Sequence, residues 1–360
     1  MRVCIIVGEY DYGGISRIVT ELALKLVGRA NLMLLCRRLA RNAPDDLSVT
    51  ELKSRSILEY WKNLRHMEDR FDIIHVHDLY ALPALVGSTR QSRLVFTDHG
   101  IIPISVAGAL RIHRTAFAHI CQKFSLSRTD AVVAISDYMY ERVSPWVGRS
   151  LLRKIYNGID LQGLRHNHIV AADLSHPKLL YVGRFSRHKG VYFLLHAFKR
   201  LLRQYPAATL ALAGQEAWSM FERSNDSDNI RILAHSLGID DKMTFYGTLS
   251  SDQDLAKRYM EATIVVVPSY WEGFGIPIIE AMALGRPVIA RNAYAMKEHI
   301  RKSHGGVTFT SDDAEAFVRA FQNLMDKYDM FSKNAFSYAS NFDSDTMANK
   351  HLDLYSELLG

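Results

Sequence analysis

The chain alternates short apolar runs with amphipathic segments from its first residues onward. In the first half, aliphatic and β-branched runs predict buried strands at 2–8, 30–36, 72–77, 93–99 and 131–136. Residues 16–27 carry apolar positions at helical spacing, and Ser16 is suited to cap that predicted helix. Strands that alternate with helices predict a parallel α/β domain.

The same alternation returns after an irregular stretch. The pair Asn157-Gly158 and the polar residues that follow are typical of a turn and a linker. Further strands are predicted at 178–185, 208–214, 243–249, 263–268 and 286–291, and a further helix at 190–205. The sequence therefore predicts an α/β protein with two Rossmann-like domains, residues 1–165 and 170–340, and a cleft between them. A C-terminal helix in residues 341–360 is a candidate to pack across the domain junction.

The composition is that of an ordinary globular protein, with 48% hydrophobic and 23% charged residues among 360. Cys4, Cys36 and Cys121 lie in apolar runs or a predicted helix, so buried free thiols in a reducing compartment are expected. No apolar run reaches the length of a signal peptide or a membrane-spanning helix, which predicts a cytoplasmic protein.

The net charge of +6 is concentrated in the first half of the chain. Residues 1–165 hold 23 Lys and Arg against 16 Asp and Glu, and the remainder holds 21 against 22. The stretch between Asp98 and Asp130 has no acidic residue, and its basic residues include Arg111, Arg114, Lys123 and Arg128. An amphipathic helix there would either bind anionic lipid headgroups or pack its apolar stripe on the protein's own core. The sequence has no stripe of basic and aromatic residues of the kind found in proteins that bind a nucleic-acid groove. Nucleic acid is therefore not an expected partner.

The segment EGFGIPIIE sets two carboxylates, Glu272 and Glu280, around a glycine-rich turn. It follows a predicted buried strand; Gly273 and Gly275 allow the turn, and Pro277 fits the first turn of a helix. Both carboxylates could then reach one cleft. A carboxylate repels phosphate but accepts hydrogen bonds from paired hydroxyls, so a sugar or a ribose would be the partner. The alternative is a pair of solvated surface carboxylates.

Cations, glycines and a histidine mark other predicted strand ends. Arg184 ends a strand and Lys189 precedes a helix, so two cations and a helix start would converge where a diphosphate could bind. Gly13 and Gly14 would let backbone amides approach an anion. His99 ends a strand of the first domain and would face the cleft. The alternatives are solvated cations, a plain tight turn and a buried, hydrogen-bonded histidine.

Metal binding is not expected at any of three places where histidine or aspartate residues lie close together in the sequence. His75 and His77 share a strand face and Asp78 follows, but no further ligand is evident, and a share in an acceptor pocket is preferred. Two Asp-x-Asp strings, at 226–228 and 343–345, are interpreted as a polar loop and a helix cap.

Together, these segments resemble the retaining nucleotide-sugar glycosyltransferases of family 4, which have two facing Rossmann-like domains (the GT-B fold). The resemblance runs nearly end to end. Its most specific part is the Glu-x7-Glu pair within SYWEGFGIPIIEAMALGRPVI, supported by YVGRFSRHKG, NGID and YDYGGISRIV.

The resemblance implies roles for these residues. Arg184 and Lys189 would bind the donor's diphosphate, and Glu280 the ribose hydroxyls. Glu272 and the backbone N–H groups of Phe274 and Gly275 would lie beside the donor hexose. His99 would contact the transferred sugar, and the Gly13-Gly14 loop would lie at the donor phosphates. The implied catalytic set is Glu272, His99, Arg184 and Lys189, with no metal and no cofactor beyond the nucleotide sugar as co-substrate.

The function implied is a metal-independent, retaining hexosyltransferase. It would move a hexose from UDP- or GDP-hexose to a glycan or lipid-linked oligosaccharide in cell-surface polysaccharide synthesis, as a cytoplasmic protein peripheral to the inner face of the cell membrane. A sugar-nucleotide epimerase of the same fold and a noncatalytic sugar-binding protein are the alternatives. A dehydrogenase is disfavoured because the glycine fingerprint and its ribose-binding acid are missing.

One segment departs from the family pattern. Relatives often carry a Gly-Gly or Ser-Gly turn on the donor side after the strand PVIA, whereas residues 291–300 contain no glycine. Donor contacts in this turn are therefore in question.

Overall fold

The structure, a computed structural model, describes residues 1–86, 91–101, 103, 119–120, 122–126, 128–165, 171–214, 218–219, 222–223, 226–249 and 251–360. It divides into two compact units, Met1–Asp160 with Phe342–Gly360, and Leu161–Asn341. The first unit ends at Asp160, slightly before the domain end placed at 165 from the sequence. The C-terminal residues are part of the first unit and do not form a segment of their own.

The first unit is built on a seven-stranded parallel sheet in the order β3-β2-β1-β4-β5-β6-β7. The strands are β1 (Arg2–Tyr10), β2 (Asn31–Leu39), β3 (Val49–Glu51), β4 (Ile73–Val76), β5 (Arg93–Asp98), β6 (Ala131–Ala134) and β7 (Leu152–Lys154). The central strands are buried on both faces, which is why they read as continuous apolar runs. The short edge strands β3 and β7 lack that signal and were not predicted.

Helices cover this sheet. They are α1 (Gly14–Leu26), α2 (Ile57–Arg65), α3 (Leu82–Leu85), α4 (Asp137–Val143) and, from the C-terminus, α13 (Ser344–Leu359). Helix α13 is tied to α1 by a Lys25 Nζ–Asp345 Oδ2 ion pair of 2.8 Å and to the turn after α1 by a hydrogen bond of 2.7 Å from Arg29 to Asn349. The prediction that Ser16 caps α1 is wrong. Ser16 lies inside the helix, where its hydroxyl donates to the carbonyl of Glu9 at 2.8 Å.

The second unit contains a six-stranded parallel sheet in the order β12-β9-β8-β13-β14-β15. The strands are β8 (Lys178–Val182), β9 (Thr209–Ala213), β12 (Met243–Gly247), β13 (Ile264–Val267), β14 (Val288–Arg291) and β15 (Gly306–Phe309). A separate antiparallel pair is formed by β10 (Trp218–Ser219) and β11 (Glu222–Arg223). The edge strand β15 was not predicted.

The helices of the second unit are α5 (Leu161–Arg165), α6 (Val191–Leu201), α7 (Asp226–Leu237), α8 (Asp252–Glu261), α9 (Ile276–Ala283), α10 (Tyr294–Ser303), α11 (Ala314–Asp326) and α12 (Tyr328–Ala339). Phe198, Phe317 and Phe321 join the apolar core between the sheet, α6 and α11. None of the helices within the described residues is long and apolar enough to cross a membrane.

The two Asp-x-Asp strings have different outcomes. The string at 343–345 is a helix cap, as predicted, because the carboxylate of Asp343 accepts from the N–H groups of Asp345 at 2.9 Å and Thr346 at 3.3 Å. The string at 226–228 is not a polar loop, since α7 begins at Asp226.

The predicted buried thiols are confirmed for two of the three cysteines. Cys4 and Cys36 are free and buried. Burial raises the pKa of both thiols, that of Cys36 to about 11 with a contribution from the nearby Glu51, so both stay protonated at neutral pH. Cys121 lies outside the described residues.

Candidate functional site

Two loops of the second unit meet where the strand order of its sheet reverses. Chain order runs outward from β8 to β9 on one side, while β13 lies on the other side of β8. In open α/β sheets, ligands bind at the carboxyl ends of the strands at such a switch point. Arg184 and Lys189 lie in the loop after β8, and Glu272 lies in the loop after β13. The fold therefore places three of the predicted site residues at the expected ligand-binding edge.

The loop after β8 packs closely against the loop after β13. Gly190 has φ +74°, in the left-handed region, and a Cβ there would lie 2.2 Å from the carbonyl oxygen of Pro268. The N–H of Tyr270 also donates to the carbonyl of His188 at 2.8 Å. Only glycine fits at position 190, and this contact fixes the spacing between Lys189 and Glu272.

Lys189 and Glu272 form an ion pair across these loops. Lys189 Nζ lies 2.7 Å from Glu272 Oε1, with the side chains 19% and 13% exposed, and Ser269 Oγ donates to the same oxygen at 2.8 Å. Burial acts to raise the pKa of Glu272, but the Lys189 ammonium and these hydrogen bonds outweigh burial and hold that pKa below its usual value. Glu272 is therefore an ionised carboxylate. Its second oxygen, Oε2, accepts no hydrogen bond from the residues that the structure describes.

Arg184 is half-buried and lies in the same loop as Lys189, after β8. The hydroxyl of Tyr181 donates to its backbone carbonyl at 2.6 Å, which holds the turn after β8. Within the described part of the chain, its guanidinium makes no hydrogen bond or ion pair. A half-buried guanidinium is suited to bind a phosphate or another oxyanion, because its N–H groups form a planar fork.

Glu280 is buried, which the sequence did not indicate. It lies in α9, is 2% exposed and accepts a hydrogen bond of 2.6 Å from the hydroxyl of Tyr259 on α8. Gly275 precedes α9 with φ +93°, and Phe274 is buried with its ring edge-on to His299 at 4.8 Å. The backbone amides of Phe274 and Gly275 thus lie at the N-terminus of α9, which favours anions and hydroxyl oxygens.

The turn after β14 keeps a glycine-like backbone without a glycine. Tyr294 has φ +52°, a left-handed conformation that is unusual for an aromatic residue and costs roughly 1 kcal/mol. This turn lies at the same carboxyl edge as Glu272, because β14 pairs with β13 in parallel. Strained backbone of this kind clusters at functional sites.

In the first unit, the Gly13-Gly14 loop already binds a carboxylate of the protein, that of Asp11. The N–H of Gly13 donates to Asp11 Oδ1 at 2.8 Å, and the hydroxyl oxygen of Ser16 lies 2.9 Å from the same carboxylate oxygen. Helix α1 begins at Gly14. One of the two predicted anion-binding amides is therefore bonded to a carboxylate in this structure.

His99 belongs to a cluster of four histidines in the first unit. His77 Nδ1 lies 2.8 Å from His99 Nε2. His75 is hydrogen-bonded at both ring nitrogens, at 2.6 Å to the Tyr355 hydroxyl and 2.7 Å to Thr97 Oγ1. The fourth ring, His351, lies 5.2 Å from that of His75 between centroids. No local pattern points to His351 or Tyr355, because they come from α13 at the other end of the chain.

The neighbouring Asp78 is also bonded within the protein. It is buried and accepts from the Tyr60 hydroxyl at 3.3 Å and from the N–H of Tyr80 at 3.0 Å. Among the described residues, no three His, Cys, Asp or Glu side chains converge as a metal site would require.

All four histidines have lowered pKa values, chiefly because burial penalises the charged imidazolium. Neighbouring histidines add to the effect for His75, His77 and His99. The pKa falls to about 4 for His99 and for His351. All four rings are therefore neutral at pH 7.

This cluster predicts a loss of stability in mild acid. A histidine whose folded pKa lies below its unfolded value of 6.5 binds fewer protons when folded, so stability falls as pH drops from about 6.5 towards 4. The buried carboxyls Asp78 and Asp98, whose pKa values burial raises, act in the opposite direction. We expect a net loss of roughly 2 to 4 kcal/mol in unfolding free energy between pH 7 and pH 5, measured by urea denaturation.

A matched variant separates the histidines from general acid effects. His351→Asn keeps a donor towards the carbonyl of Met347, which His351 Nδ1 contacts at 2.9 Å, but cannot titrate. The difference between pH 7 and pH 5 should therefore be smaller in this variant. Equal or greater stability of the natural chain at pH 5 would show that the pKa assignment is wrong.

The predicted basic helix lies mostly outside the described residues, including Arg111 and Arg114. Near its end, the Arg128 guanidinium lies 3.8 Å from the centroid of the Phe124 ring. Ile120 and Phe124 are 66% and 54% exposed.

Two family descriptions match this chain, one for each unit. Residues 12–162 match Glycosyltransferase Family 4, and residues 166–339 match Glycosyl transferases group 1. Together with the two parallel sheets, these matches identify the chain as a family 4-like glycosyltransferase with the GT-B fold.

Individual relatives agree with this class. A GDP-mannose:cellobiosyl-diphosphopolyprenol alpha-mannosyltransferase of Xanthomonas oryzae is 27% identical over 304 residues, which span 80% of this chain and 75% of that protein. Sucrose-phosphate synthase from Thermosynechococcus elongatus has a TM-score of 0.84 at 23% identity, over 99% of both chains. Anabaena HepE, solved with UDP and glucose, has a TM-score of 0.79 at 19% identity, also over 99% of both chains. The chain is thus similar to enzymes of the glycosyltransferase class.

Proposed function

We propose that this protein transfers a hexose from a UDP- or GDP-hexose to a glycan or lipid-linked oligosaccharide, with retention and without a metal ion. The observation that carries the proposal is the group formed by Arg184, Lys189 and Glu272 at the switch point of the second sheet, with Glu280 in the helix that follows. It combines cations suited to a diphosphate with carboxylates suited to hydroxyls.

The donor is assigned to these residues by their chemistry. Arg184 and Lys189 would bind the diphosphate and offset the charge that grows on it as the glycosidic bond breaks. Glu272, held by Lys189 at 2.7 Å, would accept hydrogen bonds from the hexose through Oε2. Glu280 would bind the ribose hydroxyls, for which its bond to Tyr259 fixes the carboxylate. The complex of HepE with UDP and glucose supports a donor of this kind.

The chemical step would be a front-face substitution. The bond between C1 of the hexose and the diphosphate oxygen breaks, and the acceptor oxygen bonds to C1 on the same face. The acceptor's proton passes to the departing phosphate oxygen, so no protein nucleophile is needed. Transfer should persist in EDTA. Isolation of a covalent glycosyl-enzyme would refute this step.

A thermal-shift screen of nucleotides and nucleotide sugars tests donor binding directly. A true donor at 100 times its dissociation constant adds roughly 2.7 kcal/mol to stability, or about 5 to 10 °C in Tm. Glu280→Gln should shrink the shift, because the amide is a weaker acceptor for ribose hydroxyls. Glu298→Gln, which alters another buried carboxylate of the same unit, should leave it unchanged. An equal shift in the natural chain and in both variants would show that Glu280 does not bind the donor.

An epimerase of the same fold differs in its products. A transferase releases free nucleoside diphosphate in proportion to glycosylated acceptor, whereas an epimerase converts one nucleotide sugar into another. Release of nucleoside diphosphate only when a glycan acceptor is added supports transfer.

We also propose peripheral association with anionic membranes at the inner face of the cell membrane. The excess of basic residues in the first half supports it, as do the exposed Ile120 and Phe124 beside Arg128. The diphosphopolyprenol-linked acceptor named for the Xanthomonas enzyme is consistent with a membrane-bound substrate. Flotation with anionic vesicles should fall as salt rises, because surface charges are screened. Binding that ignores both salt and lipid charge would argue against it.

A further inference from the structure

His77 and His99 share a hydrogen bond that follows from the sheet. The strands β4 and β5 are adjacent and parallel, and each histidine comes directly after its strand. The N–H of His77 is anchored to the carbonyl of Ile6 on β1 at 2.7 Å. As a result, His77 Nδ1 and His99 Nε2 lie 2.8 Å apart.

One proton is shared across this contact, because both rings are neutral. Either His77 donates from Nδ1, which leaves His99 protonated on Nδ1, or His99 donates from Nε2, which leaves His77 protonated on Nε2. The two tautomers are therefore coupled. The surroundings of the two nitrogens outside this contact, His77 Nε2 and His99 Nδ1, decide between the arrangements.

The outer nitrogens differ in their surroundings. His77 is 6% exposed, and its Nε2 is buried with no hydrogen-bond partner in the described part of the chain. His99 is half-buried, and its Nδ1 makes no hydrogen bond to the described residues. A proton on His77 Nε2 would be a buried N–H without an acceptor, which is rarer in proteins than an unsatisfied acceptor and costly. The second arrangement is therefore disfavoured.

The ring of His77 is held in place by its neighbours. Its centroid lies 4.2 Å from that of His75, and both nitrogens of His75 are bonded, to Tyr355 and Thr97. Helix α13 thus supports, through His75, the ring that contacts His99.

We infer that His77 is a positioning residue that donates from Nδ1 to His99 Nε2 and holds His99 in the tautomer protonated on Nδ1. His99 then presents an N–H donor at Nδ1 to a hydroxyl oxygen of the transferred hexose. The role towards the hexose rests on the proposed function, but the tautomer does not.

The tautomer is tested on the full natural chain by nitrogen-15 NMR with labelled histidine, with His99→Gln used to assign the signals. We expect the imidazole of His99 to carry its proton on Nδ1 and to be bare at Nε2. A proton on His99 Nε2 overturns the inference. Because no substrate is needed, failure here is distinct from failure of the proposed function, which would appear as the expected tautomer without transfer.

Variants then test whether the tautomer matters for transfer. His77→Leu removes the donor and should lower kcat about tenfold or more. His77→Asn places an amide N–H where Nδ1 stood and should restore kcat to within about threefold and leave the His99 tautomer unchanged. Full activity of His77→Leu, or failure of His77→Asn to rescue, overturns the inference. If His77→Leu does not fold, the tautomer of the natural chain and the activity of His77→Asn decide it.

Discussion

Replacement of Glu272 with glutamine is expected to lower kcat by about 10²- to 10³-fold while nucleoside diphosphate binds within about threefold of its original affinity. Glutamine keeps the size of the side chain but removes the charge that pairs with Lys189 at 2.7 Å. It also weakens the acceptor that Oε2 offers to the hexose. Initial rates of nucleoside diphosphate release and calorimetric titration with UDP and GDP measure the two effects separately.

A matched control alters another ion-paired carboxylate of the same unit. Glu315 pairs with Arg200 and has a side chain 47% exposed, so Glu315→Gln should keep kcat within about twofold. If nucleotide affinity fell in step with kcat, Glu272 would have to contact the nucleotide and not the hexose. Full activity of Glu272→Gln would remove it from the site.

Replacement of Gly190 with alanine is expected to lower the unfolding free energy of the second unit by about 3 kcal/mol and to reduce transfer as well. The added Cβ would lie 2.2 Å from the carbonyl oxygen of Pro268, so the loops that carry Lys189 and Glu272 must move apart. Thermal melting and urea denaturation measure the loss of stability.

Gly247 provides the control for backbone strain alone. It has φ +66°, but a Cβ there meets no atom within 4 Å. Gly247→Ala should therefore cost only about 1 kcal/mol. If the two variants lose equal stability, the close approach of Gly190 to Pro268 does not contribute to the stability of the second unit.

The fold was predictable because buried parallel strands carry a strong local signal. In β13, all four residues are buried, aliphatic and β-branched, and such a continuous run predicts a buried strand. The edge strands β3 (VTE), β7 (LRK) and β15 (GVTF) interrupt their apolar positions with polar, charged or glycine residues, so their sequences resemble loops. Ser16 resembles a helix cap in sequence, but Gly13, which has no side chain to indicate this role, is the residue that precedes α1.

The candidate residues could be named from the sequence, but the contacts between them could not. Arg184, Lys189, Glu272 and Glu280 stand out because their types and placement after strands indicate their chemistry. The ion pair between Lys189 and Glu272 depends on β8 lying beside β13, which no local pattern encodes.

Burial of site residues was equally hidden in the sequence. The contact of Glu280 with Tyr259 depends on how α9 and α8 are arranged in the second unit. Likewise, the bond between His75 and Tyr355 spans most of the chain. Such long-range contacts are set by the tertiary fold, so only the structure reveals them.

The turn after β14 contains no glycine but includes a residue in the left-handed region. Residues 291–300 lack glycine, yet Tyr294 adopts φ +52°, a conformation that glycine adopts without strain. The backbone at this residue is therefore one that glycine would adopt more readily than tyrosine does.

The most direct test of the central claim is a crystal structure of the full chain grown with UDP-glucose and, in parallel, with GDP-mannose. For the true donor, we predict density in the second unit, with the diphosphate beside Arg184 and Lys189, the hexose at Glu272 and the ribose at Glu280. Donor density that avoids all four side chains and lies elsewhere on the protein would contradict the account.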